Sequence, residues 1–222
     1  MRSYAAAIFD VDGTLLDTTA GISAAVRETI AELGLREVDE ERLRSFIGPP
    51  IQESFAREYG LDTAEAQAAA EIFRKHYKGA HLLEARPYPG ILEALAKVRR
   101  GGTRIGIATY KRADYATLIV DHFGFGALCE SVNGADNENR LRKQDIIRLT
   151  LSDMGLDDPS QAIYIGDTVS DAQSAESAGM DFMAVTYGFG FGPLTGLEGV
   201  PHIAAARDAT EIAAFLSGAK NQ

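Results

Sequence analysis

The 222-residue chain has one cysteine, no tryptophan and seven prolines, and none of its apolar runs approaches the ~20 residues that a membrane span requires. A lone Cys129 excludes an intramolecular disulfide and a cysteine metal cluster. Its neighbours Leu128 and Val132 suggest a thiol buried in the core. The start, Met1-Arg2-Ser3-Tyr4, lacks the apolar stretch and cleavage pattern of a secretory leader and runs directly into a strand signal, so a cytoplasmic location with no membrane partner is expected. Positive charge is also scarce. A net charge of −10 speaks against a nucleic-acid partner, because duplex binding draws its affinity from cations placed on phosphates. An anionic small molecule stays compatible if positive charge is concentrated locally by a metal, helix N-termini and a few lysines. With 45% hydrophobic and 24% charged residues, the composition is that of an ordinary globular protein.

The most informative stretch is Ala6-Ala7-Ile8-Phe9-Asp10-Val11-Asp12-Gly13-Thr14-Leu15-Leu16-Asp17-Thr18, an apolar strand signal that ends in two carboxylates and a glycine. If the extended conformation persists past Asp10, Asp10 and Asp12 point the same way, and two like charges so close need a cation or a shared proton. Three readings compete. An ordinary acidic loop is one, since Asp and Gly are common after strands. A calcium loop fails on spacing: with Asp10 first, the required glycine falls on Leu15 and the bidentate glutamate on Gly21. A magnesium-assisted phosphoryl-transfer site, with one carboxylate as nucleophile and the other as acid/base, requires companions downstream.

Strand signals recur at Ala5 to Asp10, Arg104 to Thr109, Ala162 to Asp167 and Asp181 to Thr186, with a weaker one near Leu128 to Asn133. Amphipathic helices separate them, one on Ile91, Leu92, Leu95 and Val98 and another on Ile146, Ile147, Leu149 and Leu151. Such alternation predicts an α/β fold, a doubly wound parallel sheet whose ligands bind beyond the carboxyl ends of the strands. Residues 17–88 break the pattern with helix signals and no strand. They are expected to form an all-helical insert between the first strand and the rest of a core made of 1–16 and 89–222. An insert leaving the carboxyl end of the first strand is expected to act as a lid over the active-site end.

Two further strand ends carry polar groups. Thr109-Tyr110-Lys111 offers a hydroxyl and a backbone amide to an anionic oxygen, and Gly166-Asp167-Thr168-Val169-Ser170-Asp171 repeats the pattern of apolar strand then carboxylate. Asp10, Asp12 and Asp167 at neighbouring strand ends are the hard oxygen ligands that magnesium prefers.

In these segments the chain resembles the haloacid dehalogenase superfamily, in its phosphoglycolate phosphatase-like branch with a helical cap. The stretch from Asp10 to Thr18 resembles the nucleophile motif, Thr109 the second, Lys143 the third, and Gly166 to Asp171 with Ala178-Gly179 the fourth. Arg86 to Gly90 and Thr186-Tyr187-Gly188-Phe189-Gly190 also look like this branch. The resemblance implies a phosphatase of small phosphoesters acting through an aspartyl-phosphate. Asp10 would be the nucleophile and Asp12 the acid/base. Mg2+ would sit among Asp10, Asp12 and Asp167, and Asp171 would orient Lys143 or join the metal shell. Thr109, the amides near Gly13 and Tyr110, and Lys143 would hold the phosphoryl group. Two departures are visible: Tyr110 stands where Asn or Ser is common, and Lys143 lacks the proline that often follows it. Lys143 fits because Ile146-Ile147 follow as a helix start, and Arg140 and Arg142 stand as its alternatives.

In the insert, Phe46-Ile47-Gly48-Pro49-Pro50-Ile51 is a rigid turn in which Gly48 and Pro49 are candidates for substrate contact; the competing reading is a helix stop followed by a proline-started helix. Arg57, Arg74 and Arg86 are candidates for a substrate carboxylate, whereas Lys75 and Lys78 read as solvated helix charges. Two rival functions share the residue types. A phosphomutase would keep every aspartate, and a signalling receiver domain would place its acidic pair and its phosphorylated Asp on different strands. A monomer or a homodimer is expected.

Overall fold

A computed structural model describes residues 3–138, 140–192 and 196–218. The chain divides into two compact units, Met1–Leu16 with Pro87–Gln222, and Asp17–Arg86. Pro87 and Tyr88 group with the first unit, where the Tyr88 amide donates to the Leu15 carbonyl and its ring packs 4.6 Å from that of Tyr187.

The chain enters as β1 (Ala6–Phe9) and reaches β2 (Leu16–Asp17) after a tight turn. The second unit follows as α1 (Thr19–Glu32), α2 (Glu40–Arg44), α3 (Ile51–Tyr59) and α4 (Thr63–His76), and α4 runs on into a π-helical turn at Tyr77–His81. Local chemistry sets these limits. Asp62 caps α4 in a reciprocal box with Glu65, and Gly60 ends α3 in the left-handed region at φ 68°. Phe46, Phe55, Phe73 and Tyr77 fill the interior of this unit.

β3 (Arg86–Pro87), which pairs with β2, leads back into the first unit, which continues through α5 (Ile91–Arg100), β4 (Arg104–Arg112), α6 (Ala113–His122) and β5 (Ser131–Ala135). It is completed by α7 (Lys143–Asp153), β6 (Ala162–Gly166), α8 (Val169–Ala178), β7 (Asp181–Val185), β8 (Ala204–Ala206) and α9 (Ala209–Gly218). The main sheet runs β5-β4-β1-β6-β7-β8, and every pairing in it is parallel. All four residues of β1 are buried, as a strand covered on both faces demands. Ile8, Ile146, Ile147, Leu151, Tyr164, Ala172 and Phe182 pack together on one face.

The sequence reading needs correction at three places. β4 runs on to Arg112, three residues beyond Thr109, with a register break against β5 between Ala108 and Arg112. Leu149, counted in the apolar stripe of α7, is exposed. Cys129 is only partly buried, although its surroundings push the thiol up to about 12 by desolvation. Among the described residues, no helix is long and apolar enough to cross a membrane.

Candidate active site

Three adjacent strands, β4, β1 and β6, carry the predicted residues at their carboxyl ends. After Phe9 the chain turns sharply: the amides of Thr14, Leu15 and Leu16 all return to the Val11 carbonyl, and the Gly13 amide donates to Leu16. Gly13 sits at φ +81°, and a Cβ there would fall on the Asp167 carboxylate, 2.8 Å from Oδ1. Backbone freedom and close approach both require glycine here.

Asp10, Asp12, Thr109, Lys143, Asp167 and Asp171 are all buried. Lys143 Nζ lies 2.8 Å from Asp10 Oδ2 and also bonds Asp171 Oδ1. Lys143 is the first residue of α7, and the loop before it is shaped by Asp136, whose carboxylate accepts from the amides of Glu138 (2.9 Å), Arg140 (3.0 Å) and Leu141 (2.8 Å). These amides hold the Asp136 carboxyl below its ordinary range against the opposing effect of burial. The side chain on Asp10 is therefore Lys143. Arg140 is exposed and pairs with Glu138 and Asp136, and Arg142 precedes the helix.

Asp171 is saturated by protein donors. Its Oδ2 accepts from the amides of Asp167 (3.1 Å) and Thr168 (3.0 Å) and from the Thr168 hydroxyl (2.8 Å), while Oδ1 takes Lys143. The Thr168 hydroxyl in turn accepts from the Asp171 amide, which closes the cap of α8. Asp10 and Asp167 differ, for each keeps a buried Oδ1 with no hydrogen-bond partner. Carboxylate oxygens of Asp10, Asp167 and Asp171 lie within 4.8 Å of one another.

Electrostatics follow from this crowding. Burial, reinforced by Asp171 and Asp12 and opposed by Lys143, raises the Asp10 carboxyl to about 6. Asp167 is raised to about 8 by burial and by the charges of Asp171 and Asp10. Lys143 stays protonated well above its ordinary range, because Asp10 and Asp171 outweigh the burial that opposes its charge. A cation among these carboxylates reverses the balance. Among the described residues of the first unit, the buried charged side chains are four aspartates, Asp10, Asp12, Asp167 and Asp171, and two lysines, Lys111 and Lys143. With all four carboxylates ionised, two further positive charges would neutralise them. Together with the orphaned oxygens on Asp10 and Asp167, this donor set fits a divalent, oxygen-preferring ion such as Mg2+.

Lys111 is the residue the sequence reading overlooked. Its Nζ lies 3.1 Å from Asp12 Oδ1, with both side chains buried. Thr109 and Lys111 are two apart on β4 and so share a face, which alternation would have revealed had the strand been extended through Tyr110. The Thr109 hydroxyl accepts from the Lys111 amide at 3.2 Å. Tyr110 and Tyr164 flank Lys143, their ring centres 5.6 and 5.7 Å from Nζ. Tyr164 donates its hydroxyl to the Ala108 carbonyl at 2.7 Å.

The remaining candidates belong to the helical unit. Gly48 adopts φ +100° between α2 and α3, and Pro49 leads to Pro50 at the N-cap of α3. Arg57 donates to the Ser45 carbonyl at 2.8 Å, the buried Arg74 pairs with Glu71, and Arg86 is exposed on β3. Lys75 is solvated beside Glu32 and Lys78 is exposed.

Comparison with known proteins converges on one family. Residues 7–185 match the family model described as haloacid dehalogenase-like hydrolase. A 5'-nucleotidase of Pseudomonas aeruginosa is 35% identical over 188 residues, covering 84% of this chain and 85% of the relative. A phosphoglycolate phosphatase of Agrobacterium fabrum is 32% identical over 199 residues, covering 86% and 84%. A solved haloacid dehalogenase-like hydrolase from Streptococcus pneumoniae superposes with a TM-score of 0.87 at 32% identity, covering 97% of this chain and 99% of the other.

Proposed function

Because this chain belongs to the haloacid dehalogenase-like hydrolases, we propose that it is a Mg2+-dependent phosphatase of a small phosphorylated metabolite, of the phosphoglycolate or nucleoside monophosphate class. The observation that carries the reading is the buried excess of aspartate over lysine, with unpartnered oxygens on Asp10 and Asp167. Mg2+ held by the carboxylates of Asp10 and Asp167 and the carbonyl of Asp12 would supply positive charge to the phosphoryl oxygens and keep Asp10 ionised.

The chain's own groups divide the remaining work. Asp10 attacks phosphorus in line with the ester oxygen, forming an aspartyl-phosphate as the P–O bond to the alcohol breaks. Asp12 gives its proton to the departing alkoxide, then takes one from the water that attacks the aspartyl-phosphate, which returns Asp10 and releases phosphate. Lys143 offsets the charge growing on the phosphoryl oxygens, and Thr109 with the amides near Gly13 and Tyr110 orients them. Asp171 is assigned to Lys143 rather than to the metal shell, a role supported by the donors that already occupy both its oxygens. The helical unit, Asp17–Arg86, is the proposed cap that selects the leaving alcohol, with Gly48 and Pro49 its candidate contacts.

A screen of phosphorylated metabolites with Mg2+ tests the reading, with EDTA and Asp10→Asn as controls. Phosphate release that EDTA abolishes and that the substitution removes is the expected result. Near wild-type turnover by Asp10→Asn, or isomerised sugar phosphate without phosphate release, would overturn it.

A further inference from the structure

Residues 187–191, which follow β7, pass directly over Asp167, and their contacts select one oxygen of that carboxylate. The amides of Phe189 and Gly190 donate to Asp167 Oδ2 at 2.7 and 3.3 Å, and the Phe191 amide donates to the Asp167 carbonyl at 2.9 Å. Oδ1 is left buried and without a partner. The segment is fastened at its start by the Tyr187 hydroxyl, which donates to the Thr14 carbonyl at 2.9 Å within the turn that carries Asp10 and Asp12. Between these anchors stands Gly188. A Cβ there would fall on the Gly13 carbonyl oxygen and 2.5 Å from Asp167 Cβ. Backbone oxygen cannot yield as a flexible side chain would, so any larger residue displaces either the nucleophile turn or Asp167.

We propose that residues 187–190 form a clamp that positions Asp167 for the metal: two amides hold Oδ2, Oδ1 is presented to the ion, and Gly188 is the residue that lets the clamp close. Loss of a group that fixes a ligand from behind costs about 10- to 100-fold in metal affinity. The amides act through Asp167, so Gly188 and Tyr187 are positioning residues. Tyr187 links the clamp to the Asp10 turn, so Asp10 and Asp167 are held in register by one segment.

The proposal rests on the metal-dependent reading above, and binding of Mn2+ to the full chain tests it directly. The readouts are the loss of the free-Mn2+ electron paramagnetic resonance signal and thermal unfolding in EDTA, with Asp167→Asn marking the loss of the site. Gly188→Ala is expected to raise the Mn2+ Kd by about 10- to 100-fold and to raise the Mg2+ concentration for half-maximal phosphate release in step. Tyr187→Phe, which removes one hydrogen bond and keeps the ring, should raise the Kd by about fivefold and decides the matter if Gly188→Ala does not fold. A purely structural role would lower the melting temperature and leave the Kd of the folded protein unchanged. Wild-type Mn2+ affinity in the folded variants overturns the clamp alone. Absence of Mn2+ binding by the wild type overturns the metal-dependent reading and the clamp with it.

Discussion

Each unit of the molecule contains a network of paired charges, and the two networks are built to opposite ends. In the helical unit, His76 places its ring nitrogens 3.0 Å from Glu28 and 2.7 Å from Glu32, and His81 places its own 2.9 Å from Glu84 and 3.1 Å from Glu28. These contacts set both imidazoles among carboxylates and join α1 to α4 and the turn that follows. In the sheet unit the carboxylates are in excess, and Asp10 and Asp167 keep oxygens with no partner. Imidazoles set among carboxylates tie helices together; buried carboxylates that stay short of positive charge suit a ligand.

Substitutions can break that comparison in graded steps. Asp10→Asn has the largest expected effect, a fall in kcat of at least about 10³-fold, measured by phosphate release. Lys143→Met follows, with kcat lower by about 10²-fold. It removes the charge that Asp10 and Asp171 share, and breaking a buried pair of this kind costs about 3–5 kcal/mol of stability. Denaturant unfolding with and without Mg2+ reads that cost, and Mg2+ should recover part of it. Lys111→Met should lower kcat/KM by about tenfold, because Asp12 loses the partner that fixes its carboxylate. An unchanged rate would return Lys111 to a structural role.

The smallest expected effect lies in the helical network and has a definite sign. Against burial, Glu84 and Glu28 raise the His81 pKa above its ordinary value. The folded protein therefore keeps that proton to a higher pH than the unfolded chain does. The stabilisation is complete below the unfolded value of about 6.5 and is lost as pH rises through the folded one. The melting temperature of the wild type should fall across that window, and His81→Gln should flatten the fall while leaving Mn2+ affinity unchanged. An equal pH response in both proteins would remove His81 from the account.

Legibility in the sequence followed the strength of the local signal. β1, β4, β6 and β7 were readable because each is an apolar run closed by a polar break, and the aspartates and Thr109 stand at those breaks. β8 is three alanines with no alternation to detect, and it exists because it can pair with β7. The true end of β4 was hidden by Tyr110-Lys111-Arg112, which reads as a polar loop, and Lys111 was missed with it. The π-helical turn at Tyr77–His81 has no sequence signature of its own. Nor could spacing disclose that two amides beyond β7 return to Asp167, since that contact depends on how tightly Gly188 approaches Gly13.

The order of strands also sets when this chemistry can first exist. β1 is central in the sheet and early in the chain, yet Ala6 pairs with Arg104 on one side and Ala162 on the other. The lysine on Asp10 is 133 residues away in sequence. A nascent chain therefore carries Asp10, the proposed nucleophile, long before Lys143, Asp167 or the residues that hold Asp167 have been synthesised. The late closure of such long-range pairs makes folding slower than it would be for a local topology, and it brings Asp10, Lys143 and Asp167 together only in the completed sheet. Partly made or partly unfolded chains carry Asp10 without the lysine and carboxylates that surround it in the finished fold.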